Sequence, residues 1–317
     1  MQVLFTEALI LIVFAIGVGT LSSMVGIGGG IINTPLLIIA FGLLAVNAPV
    51  AALIAAFFVA VASTVAYWRQ KPRPIALKVG LFLAITTIPG SMIGVALRTL
   101  ITDDYILRLI FGIALFPVAL KMLLARKRRV GNIASEIAAF NFSQLSRSRL
   151  AITLLGGFVG GVAAGLLGIG GGAIVVPVLC VLLGLPMHIA VATSMFTMMF
   201  TATAGTGMNY LTLGPEEFYP LLLYGLSLGA GMVIGGQIGP RIARKINAVQ
   251  LKQIFGLILV FPLVKMMKLG QFWLDPNGEN FLVATLGDLI IWLAIILPIG
   301  LLKLFQIRMQ TQDMMEE

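Results

Sequence analysis

Charged residues are scarce in this sequence, and cysteine and histidine each occur once. Of its 317 residues, 10% are charged and 59% are hydrophobic, and the mean hydropathy is +1.07. Because a soluble domain of average composition carries about 25% charged residues, the composition excludes an ordinary soluble enzyme and predicts a membrane protein with several spans. The lone Cys180 and the lone His188 exclude a disulfide framework and leave no set of metal ligands, so no metal site is predicted.

Acidic residues are missing from the middle of every long apolar run. Membrane cation sites and proton relays usually place ionisable groups there, whereas this chain places hydroxyl and amide groups there. Neutral donors suit a small oxyanion better than a cation. Because His188 is the one available histidine base and no carboxylate accompanies it within a run, we predict no catalytic residues and no cofactor, and we expect the protein not to be an enzyme.

The long apolar runs predict membrane-spanning helices. Seventeen of the 21 Lys and Arg residues lie in gaps on one side of the membrane. That side is therefore predicted to face the cytoplasm. We expect a multi-pass protein of the cell inner (plasma) membrane, with its N-terminus outside and its C-terminus in the cytoplasm. Since the basic residues occupy short gaps rather than one face, no nucleic-acid partner is expected. The runs of full length are about 48–68, 75–97, 105–125, 189–211, 218–238, 250–268 and 281–303, and four shorter runs cover about 8–24, 31–45, 150–167 and 173–186.

A glycine motif occurs twice, between the two members of each pair of shorter runs. Gly26-Ile-Gly-Gly-Gly30 recurs as Gly168-Ile-Gly-Gly-Gly172, and seven of the twelve residues in 24–35 are identical to those in 166–177. Each half of the chain crosses the membrane an odd number of times, whether its short pair is re-entrant or spans twice. The two halves should therefore run in opposite senses, an arrangement typical of secondary transporters with a midplane substrate site.

The predicted fold is all-α, with two inverted repeats that each contain a short Gly-broken helix pair and three full transmembrane helices. One extra C-terminal helix follows the repeats. The corresponding segments are 1–130 for the first membrane repeat, 131–148 for a cytoplasmic basic linker, 149–270 for the second membrane repeat, and 271–317 for the extra helix and tail.

The two GIGGG segments are the predicted ligand site. Successive glycines permit positive φ angles, and each segment precedes a predicted helix, whose first N–H groups lack partners and attract anions. Close helix packing is the alternative explanation for such glycines. His188, at the start of the run 189–211, is either a ligand or proton carrier or an interfacial residue. The predicted substrate-binding residues are Gly26, Gly28, Gly29, Gly30, Gly168, Gly170, Gly171, Gly172, Ser22, Ser23, Asn33, Thr193, Ser194 and His188.

The doubled G-x-G-G-G-x-[IV]-x-x-P pattern, with Ala192-Thr-Ser194 after the second copy, resembles the TauE/SafE family of sulfite and organosulfonate exporters. The resemblance covers about residues 7–270 and implies an inner-membrane permease for sulfur-containing or related anions. In the first half, Ala51-Ala52 stand where the second half has Thr193-Ser194, so the hydroxyl groups of this pair have no counterpart in the first half.

The predicted function is secondary transport, in the direction of export, of a small sulfur-containing anion such as sulfite or an organosulfonate, with alternating access around the two glycine segments. The alternative is an anion channel, or a permease for thiosulfate, sulfate or a carboxylate. The expected partners are the small anionic substrate and the lipid bilayer, and the sequence leaves a homodimer open.

Overall fold

The computed structural model describes residues 5–101, 103–123 and 147–244, together with positions 260, 264, 267, 286–291, 293, 294 and 297. Regular structure in the three long ranges consists of eight helices, without a strand. The helices are α1 (Phe5–Val25), α2 (Gly30–Ala40), α3 (Ala48–Trp68), α4 (Leu77–Leu100), α5 (Asp104–Leu123), α6 (Arg147–Leu167), α7 (Gly172–Val181) and α8 (Met187–Ala243).

The described residues belong to two compact units. The first contains those within 1–107 and 126–251, and the second contains those within 108–125 and 252–317. The predicted linker 131–148, the run 250–268 and the extra helix 281–303 lie mostly outside the described residues. Every contact reported below belongs to the first unit.

The helical fold class is confirmed. Among the described residues, five helical segments are long and apolar enough to cross a membrane. Helices suit this setting because they satisfy their backbone hydrogen bonds internally. The five segments are Glu7–Val25, Ala48–Trp68, Leu77–Leu100, Ser148–Leu167 and Met187–Ala243.

The two members of each predicted short pair differ in length. Helices α1 and α6 each contain 21 residues, or about 30 Å of helix, because they continue over polar residues that the apolar runs leave out. Helices α2 and α7 contain only 11 and 10 residues, which is too short to cross a hydrocarbon core of about 30 Å.

Helix α8 holds both of the predicted runs 189–211 and 218–238. It contains 57 residues and is interrupted at Gly214, whose φ of 72° and ψ of 172° are not helical. We call residues 187–213 its first arm and residues 215–243 its second arm. The interruption lies in the predicted gap between the two runs.

Glycines bring α4 and α6 into backbone contact. A Cβ atom on Gly90 would lie 2.5 Å from the carbonyl oxygen of Phe158, and one on Gly94 would lie 2.9 Å from the backbone nitrogen of Leu166. Because the residue numbers of the two helices rise together along the contact, α4 and α6 run parallel. Small residues permit this close approach between membrane helices.

Helix α1 and the second arm of α8 pack in the same way. A Cβ on Gly231 would overlap the carbonyl oxygen of Ile12, and one on Gly239 would overlap that of Thr20. These helices also run parallel. In the sequence repeat α1 corresponds to α6, and the second arm corresponds to α4. Each parallel pair therefore takes one helix from each half of the chain, so the two halves are interlocked.

Helix α3 runs antiparallel to its counterpart in the repeat, the first arm of α8. The ring centroids of Tyr67 and His188 are 5.6 Å apart, and a Cβ on Gly205 would lie 2.5 Å from Leu53 Cδ2. Residue numbers thus rise along α3 while they fall along the first arm.

Helix α7 folds back along α6. A Cβ on Gly156 would lie 2.7 Å from Val178 Cγ2, and one on Gly160 would lie 3.3 Å from Val175 Cγ2. Residue numbers rise on one helix as they fall on the other, so the two helices are antiparallel. The second GIGGG segment is consequently the tip of a helical hairpin.

Candidate functional site

Both GIGGG segments have backbone conformations that favour glycine. We call residues 26–30 the first glycine loop and residues 168–172 the second. Six of their residues have φ angles between 70° and 86°, a region that costs other residues about 1–2 kcal/mol each. The positive φ angles expected of the motif are therefore confirmed. These residues are Gly26, Gly28, Gly29, Gly168, Gly170 and Gly171.

The two glycine loops lie directly against one another. A Cβ on Gly30 would overlap the carbonyl group of Gly168, and a Cβ on Gly172 would overlap that of Gly26. The contact is reciprocal, because the first residue of each short helix lies on the opposite loop. Close packing, the alternative explanation for these glycines, thus accounts for Gly30 and Gly172.

A single methionine fills the space between the loops. A Cβ on Gly170 would lie 2.7 Å from Met198 Sδ, a Cβ on Gly28 would overlap the same sulfur, and Met198 is only 1% exposed. Its counterpart in the first half is Ala56, which also faces Gly170. In this structure the Met198 side chain therefore contacts both loops and leaves no open space between Gly28 and Gly170. The sequence pattern did not distinguish Met198 from the other methionines.

Both short helices begin without a side-chain cap. In α2 the N–H groups of Ile32 and Asn33 donate to the carbonyl of Gly29 at 3.0 and 2.9 Å, and α7 repeats this arrangement around Gly171. No side chain provides a capping hydrogen bond at the start of α2 or α7. The first N–H groups of these helices, with the positive end of the helix dipole, point toward the loops.

Two neutral polar side chains at the first loop have unused hydrogen-bonding capacity. Ser22 Oγ lies 3.1 Å from the position of a Cβ on Gly29, and it has no hydrogen-bond partner. Asn33 Oδ1 is also unpartnered, and its Nδ2 reaches only Met232 Sδ, at 3.5 Å. Ser22 and Asn33 are both 0% exposed. Because a thioether is a weak acceptor, the Asn33 amide can exchange it for a stronger one.

The second loop has apolar residues at the corresponding positions. Ala164 corresponds to Ser22, and its Cβ lies 3.5 Å from the position of a Cβ on Gly171. Val175 corresponds to Asn33. The two loops share a backbone but differ in their surroundings, so the unused polar groups lie beside the first loop.

The other predicted hydroxyl residues are already engaged. Ser194 Oγ donates to the carbonyl of Gly26 at 3.1 Å, so the structure does bring it to the first loop. Thr193 Oγ1 accepts from the N–H of Ala76 at 3.0 Å. Ser23 Oγ donates to the carbonyl of Thr20 at 3.0 Å. These three side chains hold helices and loops in place in this structure.

His188 lies beside a basic cavity, which we define by its lining residues. Its Nε2 is 3.2 Å from Gln70 Oε1, and Gln70 Nε2 donates to the carbonyl of Pro240. This cavity has a volume of about 800 Å³, and four of its six lining residues are basic. The structure thus places His188, at the start of α8, next to the C-terminal ends of α3 and α8. The lining residues are Ala66, Arg69, Gln70, Lys71, Arg241 and Arg244.

Arg98 is not among the predicted site residues, and it lies directly after the predicted run 75–97. The structure buries Arg98 completely within α4, at 0% exposure. Its position near the end of a predicted run provided no signal of this, because arginines near helix ends often extend their charge to the membrane surface. Among the described residues, no group of three His, Cys, Asp or Glu side chains is arranged to hold a metal ion.

Comparison with known protein families supplies the identification. The family model described as "Sulfite exporter TauE/SafE" matches residues 10–266. The chain belongs to the TauE/SafE family. The match spans both glycine loops and all the contacts described above, so the resemblance noted in the sequence is confirmed.

Curated TauE/SafE-like relatives are named as membrane transporters. The "Probable membrane transporter protein YunE" of Bacillus subtilis is 31% identical over 268 residues, covering 79% of this chain and 94% of the relative. A "Probable membrane transporter protein" of Methanocaldococcus jannaschii is 27% identical, covering 80% and 95% respectively. One of the same description from Haemophilus influenzae is 31% identical, covering 66% and 74%. No solved structure matches the chain significantly.

Family membership and the apolar helices together establish the general class of the protein. It is a multi-pass membrane transporter of the TauE/SafE family. The transported substrate and the mechanism are questions for the geometry of the site.

Proposed function

We propose that the protein is a secondary transporter that exports a small sulfur-containing anion, such as sulfite or an organosulfonate, and binds it at the first glycine loop. The observation that carries this proposal is the pair of buried polar side chains beside that loop. Next to the start of an uncapped helix, the Ser22 hydroxyl lacks a partner, and Asn33 Nδ2 donates only to the weak acceptor Met232 Sδ.

Binding an anion there would relieve an energetic cost of the empty site. A buried polar group without a partner costs about 1–3 kcal/mol, and the Ser22 hydroxyl, the Asn33 amide and the first N–H groups of α2 are all neutral donors. The helix dipole adds a partial positive charge. An oxyanion satisfies these groups without any charged side chain, as anions do at other helix N-termini.

The packing around the loops favours alternating access over a continuous channel. Met198 and the reciprocal contact between the loops occupy the space that a continuous path would need. The interlocked helix pairs, together with the antiparallel course of α3 and its counterpart, support two inverted repeats. In transporters of this kind, one repeat rocks against the other around the substrate site. Opening of this site requires Met232, which would overlap a Cβ on Gly29, to withdraw from Gly29 and Asn33. Separation of the two loops requires Met198 to withdraw from Gly28 and Gly170.

The basic cavity supports export. Its positive side chains raise the local concentration of anions, and the distribution of Lys and Arg predicts that this end faces the cytoplasm. An anion collected there would enter next to the ends of α3 and α8.

The test compares Ser22→Ala and Asn33→Leu with Ser23→Ala as the matched control. Ser23 is adjacent and equally buried, but its hydroxyl is already bonded to Thr20. We expect each site variant to raise the KM for sulfite about tenfold in proteoliposomes, since a hydrogen bond to a charged group contributes about 1.5–3 kcal/mol. Ser23→Ala should keep the KM of the parent protein.

Two results would overturn the proposal. One is an unchanged KM in both site variants for sulfite, thiosulfate, sulfate and small carboxylates. The other is flux that neither saturates with substrate nor shows counterflow, since that behaviour indicates a channel. Transport of a small carboxylate in preference to sulfite would retain the site and change the substrate.

A further inference from the structure

Arg98 carries a positive charge at a fully buried position. It is one of the largest side chains without exposed surface among the residues that the structure describes. Nη1 donates to the carbonyl of Gly165 at 2.9 Å, and Nη2 donates to Oδ1 of Asn209. Both acceptors are neutral, and within the described part of the chain no carboxylate bonds to Arg98. An unbalanced charge at a buried site is costly in any protein and especially in a membrane.

Further donors at the same place remain unused. Arg98 Nε and Asn209 Nδ2 are buried N–H donors without partners, on two side chains that are bonded to each other. Thr206 lies one helical turn before Asn209, and its buried Oγ1 is likewise unpartnered. A positive charge with several free donors and no acceptor of opposite charge is the arrangement that an anion completes.

Holding the helices together does not by itself require a charge here. Gly165 lies three residues before the second glycine loop, and its counterpart in the first half is Ser23. The carbonyl of Ser23 accepts a hydrogen bond from the hydroxyl of Tyr67 at 2.8 Å, and Tyr67 is the counterpart of Asn209. A neutral phenol thus satisfies the corresponding carbonyl in the first half, so the guanidinium of Arg98 supplies something that the helix contact does not need.

Arg98 lies at the opposite end of α4 from the basic cavity. Arg69 and Lys71 line the cavity just before α4 begins at Leu77, whereas Arg98 lies near the end of that helix at Leu100. The two positive sites are therefore separated by about 30 Å along α4.

We propose that Arg98 and Asn209, with Thr206, form a second anion-binding site that takes the transported oxyanion at the end of α4 remote from the basic cavity. This inference rests on the proposed function, because it assumes that the protein transports an anion. The site balances the charge of Arg98 while the anion is bound. It gives the transport route a charged binding position in addition to the neutral one at the first glycine loop.

The first test measures sulfite affinity and transport of Arg98→Gln, Arg98→Lys and the control Tyr67→Phe. Arg98→Gln keeps a donor and removes the charge, Arg98→Lys keeps the charge, and Tyr67→Phe removes the counterpart bond to Ser23. We expect Arg98→Gln to raise the KM for sulfite about tenfold or more, which corresponds to the loss of one charge-assisted hydrogen bond. Arg98→Lys should recover most of that loss, and Tyr67→Phe should lower thermal stability without changing the KM.

Asn209→Asp provides an independent test that does not depend on how Arg98 variants fold. The new carboxylate is a built-in counter-ion for Arg98, so it should raise the melting temperature without ligand. It should also reduce the stabilisation by sulfite, because only the site at the first glycine loop still binds the anion. The inference is overturned if Asn209→Asp is stabilised by sulfite as the parent protein is, or if Arg98→Gln keeps the parent KM.

Parallel measurements on Ser22→Ala separate the two proposals. A raised KM in Ser22→Ala together with an unchanged KM in Arg98→Gln would refute the Arg98 site and leave the loop site standing. A raised KM in Arg98→Gln with an unchanged KM in Ser22→Ala and Asn33→Leu would do the reverse. Absence of binding and transport of sulfite, thiosulfate, sulfate and small carboxylates in the parent protein would overturn both.

Discussion

At the scale of single residues, a glycine can be required by its backbone conformation, by close packing or by both. Gly168 and Gly184 both have φ near 70°, yet a Cβ on Gly168 would lie 2.6 Å from Pro49 Cα, whereas one on Gly184 would have no neighbour within 4 Å. The two positions share the backbone requirement for glycine and differ in the space available. They form a matched pair in which conformation and packing can be measured separately.

We expect Gly184→Ala to lower the free energy of unfolding by about 1–2 kcal/mol, the cost of a left-handed conformation alone. Gly168→Ala should lower it by about 1–3 kcal/mol more, because the backbone at Pro49 must move. Thermal unfolding of both variants in one detergent measures the difference. Equal losses would show that the loop contact contributes nothing beyond its backbone conformation.

At the scale of helices, the parallel pairs depend on small residues at their contact. Gly94 of α4 lies against the backbone of α6, whereas Gly207 of α8, also within a helix, has open space where its Cβ would be. Leucine has a higher helix propensity than glycine at either position. Any loss of stability must therefore come from packing between helices.

Gly94→Leu should lower the melting temperature markedly and reduce the yield of monodisperse protein, because α4 and α6 are forced apart. Gly207→Leu should match or slightly exceed the stability of the parent protein. Thermal unfolding and size-exclusion chromatography provide the measurement. A stable, monodisperse Gly94→Leu variant would contradict the contact between α4 and α6.

At the scale of the whole molecule, the interlocked halves and the uneven distribution of basic residues predict which side of the membrane each end of the helices faces. The basic cavity lies at the ends of α3 and α8, and Lys71 and Glu217 are both exposed. Inverted repeats with a cytoplasmic basic cavity place these two residues on opposite sides. The single cysteine, Cys180, makes a cysteine-free background easy to prepare.

In a Cys180→Ser background, a membrane-impermeant maleimide should label Glu217→Cys in cells with a permeable outer envelope and should leave Lys71→Cys unlabelled. Inverted membrane vesicles should show the opposite pattern. Labelling of both positions from one side would refute the proposed orientation. The Cys180→Ser parent, which should remain unlabelled in both preparations, is the control.

Much of the molecule follows from local patterns in the sequence. The apolar runs predicted a helical membrane protein, because a helix alone satisfies its own backbone in lipid. The repeated glycines predicted the positive φ angles at both loops, because conformational freedom belongs to the residue itself. The helix break at Gly214 also follows from local sequence, because Gly214 adopts a positive φ and lies in the gap between two apolar runs.

Tertiary structure decided which polar groups are free. Ser22 and Ser23 are neighbours with the same side chain. Ser23 Oγ also lies 3.5 Å from the carbonyl oxygen of Gly235, in the second arm of α8, whereas Ser22 Oγ has no partner. Thr193 and Ser194 looked equally suitable until Ala76 and Gly26, each more than 100 residues away, proved to be their partners. Hydropathy and backbone freedom are properties of short segments. The partners of Thr193 and Ser194, the position of Met198 between the two glycine loops and the burial of Arg98 depend instead on which distant helices come together.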